Sequence, residues 1–318
     1  MQKSRVDRWL EEFPLFSVTH RDGDGCMPKH TWFFSPHEDT EDHLERLTGL
    51  CKQGYGEIEL HMHHDRILPF PDTSETFERK IREATDRYAL LGLFGKDNRD
   101  DKRKFGFVHG DWALDNSRGG KFCGINNELQ ILAKCGCYAD FTFPSICESQ
   151  PQKINSIYYA FDDPRRPKSY DRGISVKVGK KKCGDLMIIQ GPLGLHSKPY
   201  RRWPFIAIES ANISLTDLPY PSRVDFWAKT GIGVEDKQEW IFIKVHTHGA
   251  YEPNADVLLG EHMHTMHSYL ESKYNDGINF RLHYVTAREL YNIVKAAESG
   301  EIGNPSQFRD YYIDKPPL

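Results

Sequence analysis

The strongest constraint in this sequence is an alternation of short apolar runs with longer stretches of helical spacing. Glu57–His61 reads as a strand, and Ser74–Leu93 after it places Phe77, Ile81, Ala84 and Tyr88 on one helical face. Phe105–His109 is the next strand, Asn127–Lys134 the next helix and Tyr138–Phe143 the strand after that. Upstream, Phe16–His20 reads as a first strand, and His43–Gln53 as its helix through Leu44, Leu47 and Leu50. Downstream, Ser222–Thr230 is helical, Trp240–His246 a strand, Asp256–Tyr274 a long helix and Phe280–Val285 a strand. Thr286-Ala287-Arg288-Glu289 matches a capping box that opens a last helix. Such alternation builds an α/β fold on a mostly parallel sheet, open or closed into a barrel.

Residues 150–220 break the pattern. Ile157–Phe161, Leu186–Gln190 and Phe205–Ile208 read as strands between loops rich in Pro, Gly and Lys/Arg, without a helix. The segment is expected to be a β and loop insertion within one domain spanning 1–318. No apolar run approaches the roughly 20 residues of a membrane-spanning helix. Asp7, Arg8, Glu11 and Glu12 interrupt the start of the chain where a signal peptide would be apolar, so a cytoplasmic location is expected. The net charge of −4 carries no basic bias of the kind a nucleic-acid surface needs. Seven cysteines without a C-x-x-C pair read as reduced thiols. An oligomer is compatible with all of this.

The 15 histidines concentrate at His61, His63 and His64, at His246 and His248, and at His262, His264 and His267, the first two groups at strand ends. In a parallel α/β fold the active site forms at the carboxyl ends of the strands, where the connecting loops converge. Three polar clusters are expected there. In Thr19-His20-Arg21-Asp22-Gly23-Asp24-Gly25, the two carboxylates lie two residues apart and share one side of an extended chain. One could hold a metal while the other accepts a proton, although Asp and Gly also favour plain turns. In Glu59-Leu60-His61-Met62-His63-His64-Asp65, alternation puts His61, His63 and Asp65 on one face, a donor set suited to a divalent ion such as Zn²⁺. In Lys244-Val245-His246-Thr247-His248-Gly249, His246 and His248 share a side and could supply an acid or a further ligand. Two more segments are unusually polar. Val108–Asn116 holds His109, Asp111 and Trp112, whose indole suits a sugar ring. Arg166–Gly173 offers Arg166, Lys168 and Arg172 to an anionic group. His262, His264 and His267 flank an apolar helical stripe and read as structural.

The order of these motifs resembles the polysaccharide deacetylase (NodB-like) family of carbohydrate esterases. The resemblance covers roughly the first 145 residues and 240–290. It implies a distorted (β/α) barrel, with Asp22 as base and Asp24 as metal ligand. It also implies His61 as first imidazole ligand and Asp65 or His63 as the next. His109, Asp111 and Trp112 would form the groove, and His246 or His248 would be the acid; Arg166 and Arg172 lie outside the resemblance and are candidates on their charge alone. Two departures stand out: Gly23 splits the usual adjacent Asp pair, and Asp65 occupies the place of a second histidine. The implied activity is metal-dependent, zinc-type hydrolysis of an N-acetyl or related acyl group from a sugar. In the cytoplasm that sugar would be nucleotide-linked or lipid-linked.

Other chemistries compete. His61-Met62-His63 is also the His-x-His of an amidohydrolase-like barrel, but there the pair sits on the first strand. Two histidines and a carboxylate suit non-haem iron, usually on an all-β scaffold. A carbohydrate-binding barrel without catalysis is the non-enzymatic alternative.

Overall fold

The computed structural model describes residues 2–36, 41–64, 70–198, 205–249 and 251–318. Strands β1 (His30–Phe34), β2 (Gly56–Met62), β3 (Phe105–His109), β4 (Cys137–Asp140), β5 (Ile157–Ala160), β6 (Gly173–Ser175) and β7 (Leu186–Ile189) form one sheet. Its spatial order is β1-β2-β3-β4-β7-β5-β6. The first five in that order run parallel, and β5 and β6 extend the sheet with antiparallel pairings. A separate hairpin joins β8 (Gly194–Lys198) to β9 (Phe205–Glu209).

Period-two patterning assigns the faces. On β2, Ile58, Leu60 and Met62 are buried on one side, while Glu57, Glu59 and His61 alternate with them. Helices α1 (Gln2–Ser17), α2 (Glu41–Lys52), α3 (Ser74–Leu90) and α4 (Glu128–Lys134) cover the first side. There α3 buries Phe77, Ile81, Ala84 and Tyr88, the stripe its spacing predicts. Fully burying a side chain such as Phe77 stabilises by about 1.5–3 kcal/mol. The chain continues through α5 (Pro221–Thr230), α6 (Glu252–Leu258), α7 (Glu261–Lys273) and α8 (Ala287–Glu298). Helix α8 covers the opposite face, packing Tyr291, Val294 and Ala297 against Tyr138, Tyr159 and Ile189. Its start forms as expected: Thr286 caps the Glu289 amide, and the Glu289 carboxylate accepts from the Thr286 amide. This start sits at the amino-terminal edge of the sheet, where Thr286 Oγ1 and Arg288 donate to Glu57 at 2.8 Å.

Several expectations need correction. Phe16–His20 is not a strand, because Phe16 completes the helical series Trp9, Phe13, Phe16 that buries one face of α1. Phe280–Val285 is not a strand either: the Asp276 carboxylate collects the amides of Ile278, Asn279 and Phe280 in a tight turn. Trp240–His246 forms only an isolated bridge, His246 with Asn212. It runs so close to Gly191 that a Cβ there would lie 2.3 Å from the Lys244 carbonyl. The helix expected over Asp256–Tyr274 is broken at Gly260, whose Cβ would lie 2.3 Å from the Asp256 carbonyl. The segment expected as an insertion supplies β5, β6 and β7 to the main sheet. Among the described residues no pairing closes the sheet into the expected barrel; β1 and β6 are its edges. No helix among the described residues is long and apolar enough to cross a membrane.

Candidate functional site

The carboxyl ends of β2 and β3 bring several of the expected residues together. His61 is the sixth residue of β2, and His63 follows one residue after the strand. Their Nε2 atoms face each other at 2.9 Å. His61 Nδ1 lies 3.0 Å from the Val108 carbonyl, and His63 Nδ1 lies 2.9 Å from Asp111 Oδ2. Both of these partners are acceptors, so each Nδ1 carries the proton. Two Nε2 lone pairs then point at each other across 2.9 Å, which is repulsive unless a proton or a metal ion sits between them. Burial, with His63 next in effect, pushes His61 down to about 3, so His61 is neutral and its Nε2 is a lone pair near neutral pH. Orientation of the far nitrogen by a carbonyl or carboxylate is the usual support of a metal-ligating imidazole. The histidine pair fits a divalent ion.

The segment after β3 completes this mouth under strain. Asp111, Trp112, Asp115 and Asn116 all hold left-handed backbone, with φ of 57°, 52°, 52° and 53°. For a residue as bulky as Trp112 this is costly, about 1–3 kcal/mol, and such strain gathers where a site needs a fixed geometry. Gly110 makes the turn possible, because a Cβ there would stand 2.3 Å from His63 Nδ1. The half-buried Trp112 ring meets the exposed His248 edge-on, 5.5 Å between centroids. His246 holds the 244–248 segment through backbone bonds with Ala211 and Ile213. Its Nδ1 is shielded from solvent and makes no hydrogen bond, and burial pushes the imidazole down to about 3. Next to it, Lys244 Nζ donates to the carbonyls of Phe141 and Phe143, and burial lowers it to about 7.

Other expected residues lie elsewhere. Asp22 and Asp24 are at the opposite end of β2, where the Gly23 amide donates to the Leu282 carbonyl at 2.9 Å, beside the start of α8. His61 stands four residues beyond Glu57, a run of ~13 Å along the strand. Asp22 Oδ1 accepts from the amides of Asp24 and Cys26, and Oδ2 from the Tyr284 amide and Arg309. Burial alone would raise Asp24, but hydrogen bonds from Asn304, Arg281 and His283 hold it down at about 2. Asp22, Asp24 and His283 are close enough for a shared ion, yet Arg281 and Arg309 already supply the positive charge. The pair therefore ties the 276–284 turn and the C-terminal tail to the loop after α1. Asp22→Ala is expected to lower the melting temperature by several degrees, since three amides lose their acceptor at about 1–3 kcal/mol for each one left buried. Metal uptake by the folded protein at the His61–His63 pair should stay unchanged, which elemental analysis after zinc loading will check.

His109, expected in the groove, is buried beneath the mouth, and burial pushes it down to about 4. Arg166 and Arg172 are exposed, Arg166 standing 3.9 Å from Asp163. Asp65 falls outside the described residues. His264 and His267 pack on Phe16 beside His20, with His20 Nε2 3.0 Å from His264 Nδ1.

A second group was not foreseen. His64, His109, Cys123 and Glu128 are all buried, with one donor atom of each within 4.8 Å of the others, and the group could hold a metal ion. Cys123 and Glu128 stand at no recognisable ligand spacing from either histidine, so only the fold brings the four donors together. The signal open to sequence reading was that His64 must point to the face opposite His61. Comparison with family models, with curated proteins and with solved structures returns no match to this chain.

Proposed function

We propose that the chain is a metal-dependent hydrolase that removes an N-acetyl or related acyl group from a sugar. The activity is the one implied by the resemblance to the NodB-like deacetylases, with the site centred on the carboxyl ends of β2 and β3. What supports the reading is the facing Nε2 pair of His61 and His63, each with its other nitrogen anchored. These two residues would hold the ion, which we assign to the zinc class on its imidazole donors. Such an ion, when bound, polarises an acyl carbonyl and acidifies a water molecule toward a pKa of about 7.

The chain's own groups do the rest. Val108 and Asp111 fix the two imidazole planes, so the ligand atoms need no reorganisation when substrate arrives. Asp111 takes over the proton-accepting role that the resemblance gives to Asp22, because it is the carboxylate at the mouth. His248, exposed at the rim, protonates the departing amine, and Trp112 offers an apolar face to the sugar ring. The substrate we assign is a nucleotide-linked or lipid-linked acetylated sugar, in keeping with the expected cytoplasmic location. A distorted-barrel arrangement of the NodB type would need the segments at 211–213, 244–246 and 282–284 to complete the sheet's circuit, and isolated backbone contacts at these segments are compatible with it.

The test is acetate release from N-acetylhexosamines, free and nucleotide-linked, by zinc-loaded protein. Turnover should vanish with a chelator and return with zinc. Sugar binding without any acetate release would overturn the reading and leave a carbohydrate-binding protein.

A further inference from the structure

The mouth uses one side of the β2 and β3 ends; a different set of donors converges on the other side. His64 turns away from His61 and is sandwiched between Phe77 and His109, with ring centroids 4.3 Å and 4.7 Å away. His109 closes β3, Glu128 opens α4, and Cys123 lies in the loop before it. Glu128 Oε1 is 3.1 Å from His64 Nε2 and 3.5 Å from His109 Nε2, and Glu128 Oε2 is 3.4 Å from Cys123 Sγ.

One atom in this group is out of place without a cation. His109 Nδ1 lies 2.6 Å from the Gly110 carbonyl, so Nδ1 carries the proton and Nε2 presents a lone pair. That Nε2 is wholly buried, makes no hydrogen bond, and is aimed at a carboxylate oxygen. Acceptor facing acceptor in a dry interior is repulsive and leaves a polar atom unsatisfied, unless a proton or a cation sits between them. A divalent ion between them removes both penalties. The donor set, two imidazoles with a thiolate and a carboxylate, belongs to zinc-class chemistry. Thiolate and carboxylate together cancel the charge of a divalent ion, so the filled site is neutral where burial would penalise a net charge. The outer partner of His109 also matches, since its Nδ1 is on the Gly110 carbonyl, and the Asp72 carboxylate stands 3.5 Å from His64 Nδ1.

We propose that His64, His109, Cys123 and Glu128 bind a structural zinc-class ion, separate from the mouth and independent of the hydrolase reading. With four protein donors the site is closed, leaving no position for substrate. Its role is to clamp the ends of β2 and β3 to the start of α4, and so to hold the strained 110–116 segment that presents Asp111 and Trp112.

The test replaces the native metal of the whole protein with Co²⁺ after chelator stripping. Thiolate ligation produces a strong near-ultraviolet sulfur-to-cobalt charge-transfer band, which imidazole and carboxylate ligands do not. The band should appear in the wild type and persist in the His61→Ala/His63→Ala double variant. It should vanish in Cys123→Ser, with one equivalent of metal lost. Cobalt uptake without the band, or a band that survives Cys123→Ser, overturns the proposal. If Cys123→Ser does not fold, X-ray absorption of the zinc-loaded double variant decides: a sulfur scatterer at about 2.3 Å supports the site, and its absence refutes it.

Discussion

His63→Ala is expected to cut acetate release by at least about a hundredfold, and Gly110→Ala to reproduce about ten- to a hundredfold of loss without touching a donor. The argument for the second variant is steric. A methyl at Gly110 would stand 2.3 Å from His63 Nδ1 and 2.5 Å from two further ring atoms, separations real Cβ atoms do not adopt. The imidazole must move, and in moving it loses the 2.9 Å bond to Asp111 and the 2.9 Å approach to His61 together. Circular dichroism should be unchanged, because the buried Gly110 belongs to neither apolar cluster and the ring that must give way, His63, is only half-buried. Gly49→Ala is the control: it sits in α2, a methyl there meets nothing within 4 Å, and alanine favours the helix. Full turnover in Gly110→Ala, with His63→Ala inactive, would show that the imidazole acts from some other position than the one facing His61.

The mouth and the corner at Asp22 show what a sequence discloses and what it withholds. The His61 and His63 grouping was legible because both belong to one strand end, where period-two alternation dictates the side. Strands β2 and β3, helix α3 and the Thr286 cap were legible for the same reason: their signals are local and periodic. Asp22 and Asp24 carried an equally local signal, two carboxylates at spacing two. Their partners, however, are Tyr284, Arg281, Asn304 and Arg309, more than 250 residues away, and only the fold brings these cations and amides to the two carboxylates. Phe16–His20 carries a strand-like signal only in isolation, since its apolar residues continue a helical series begun at Trp9. The metal-capable group beneath the mouth was invisible because its four donors come from separate segments at 64, 109, 123 and 128. Sheet order was hidden too: β7 lies next to β4 although β5 and β6 come between them in the chain.

Arg223→Met is expected to destabilise the fold by about 3–5 kcal/mol, a fall of roughly 4–7 °C in melting temperature. Arg223 is wholly buried on α5, and its guanidinium uses all five N–H groups. Nε and one Nη2 proton take the Glu209 carboxylate at 2.6 and 2.7 Å, and the other Nη2 proton takes the Asn212 carbonyl at 2.7 Å. The two Nη1 protons take the carbonyls of Asp217 and Leu218 at 2.7 and 2.9 Å. Methionine fills the volume but strands a buried Glu209 carboxylate and three carbonyls. Lysine keeps the charge yet has three donors on a point and no planar fork, so Arg223→Lys should recover only part of the loss. Adding Glu209→Gln to Arg223→Met should recover part of the stability, because the unpaired charge is removed while the carbonyls of Asn212, Asp217 and Leu218 still lack their donor. The effect also reaches the mouth. Arg223 pins Asn212, whose neighbours Ala211 and Ile213 hold His246 on both sides of its peptide, at 3.0 and 2.8 Å. Loosening this knot frees the 244–248 segment that carries His248. Arg223→Met should therefore lose turnover at temperatures where the rest of the chain is still folded, which a rate measured below the melting transition will show. Turnover that tracked only the folded fraction would mean that His248 is held by other contacts, such as the Asn254 side chain on its carbonyl at 3.1 Å.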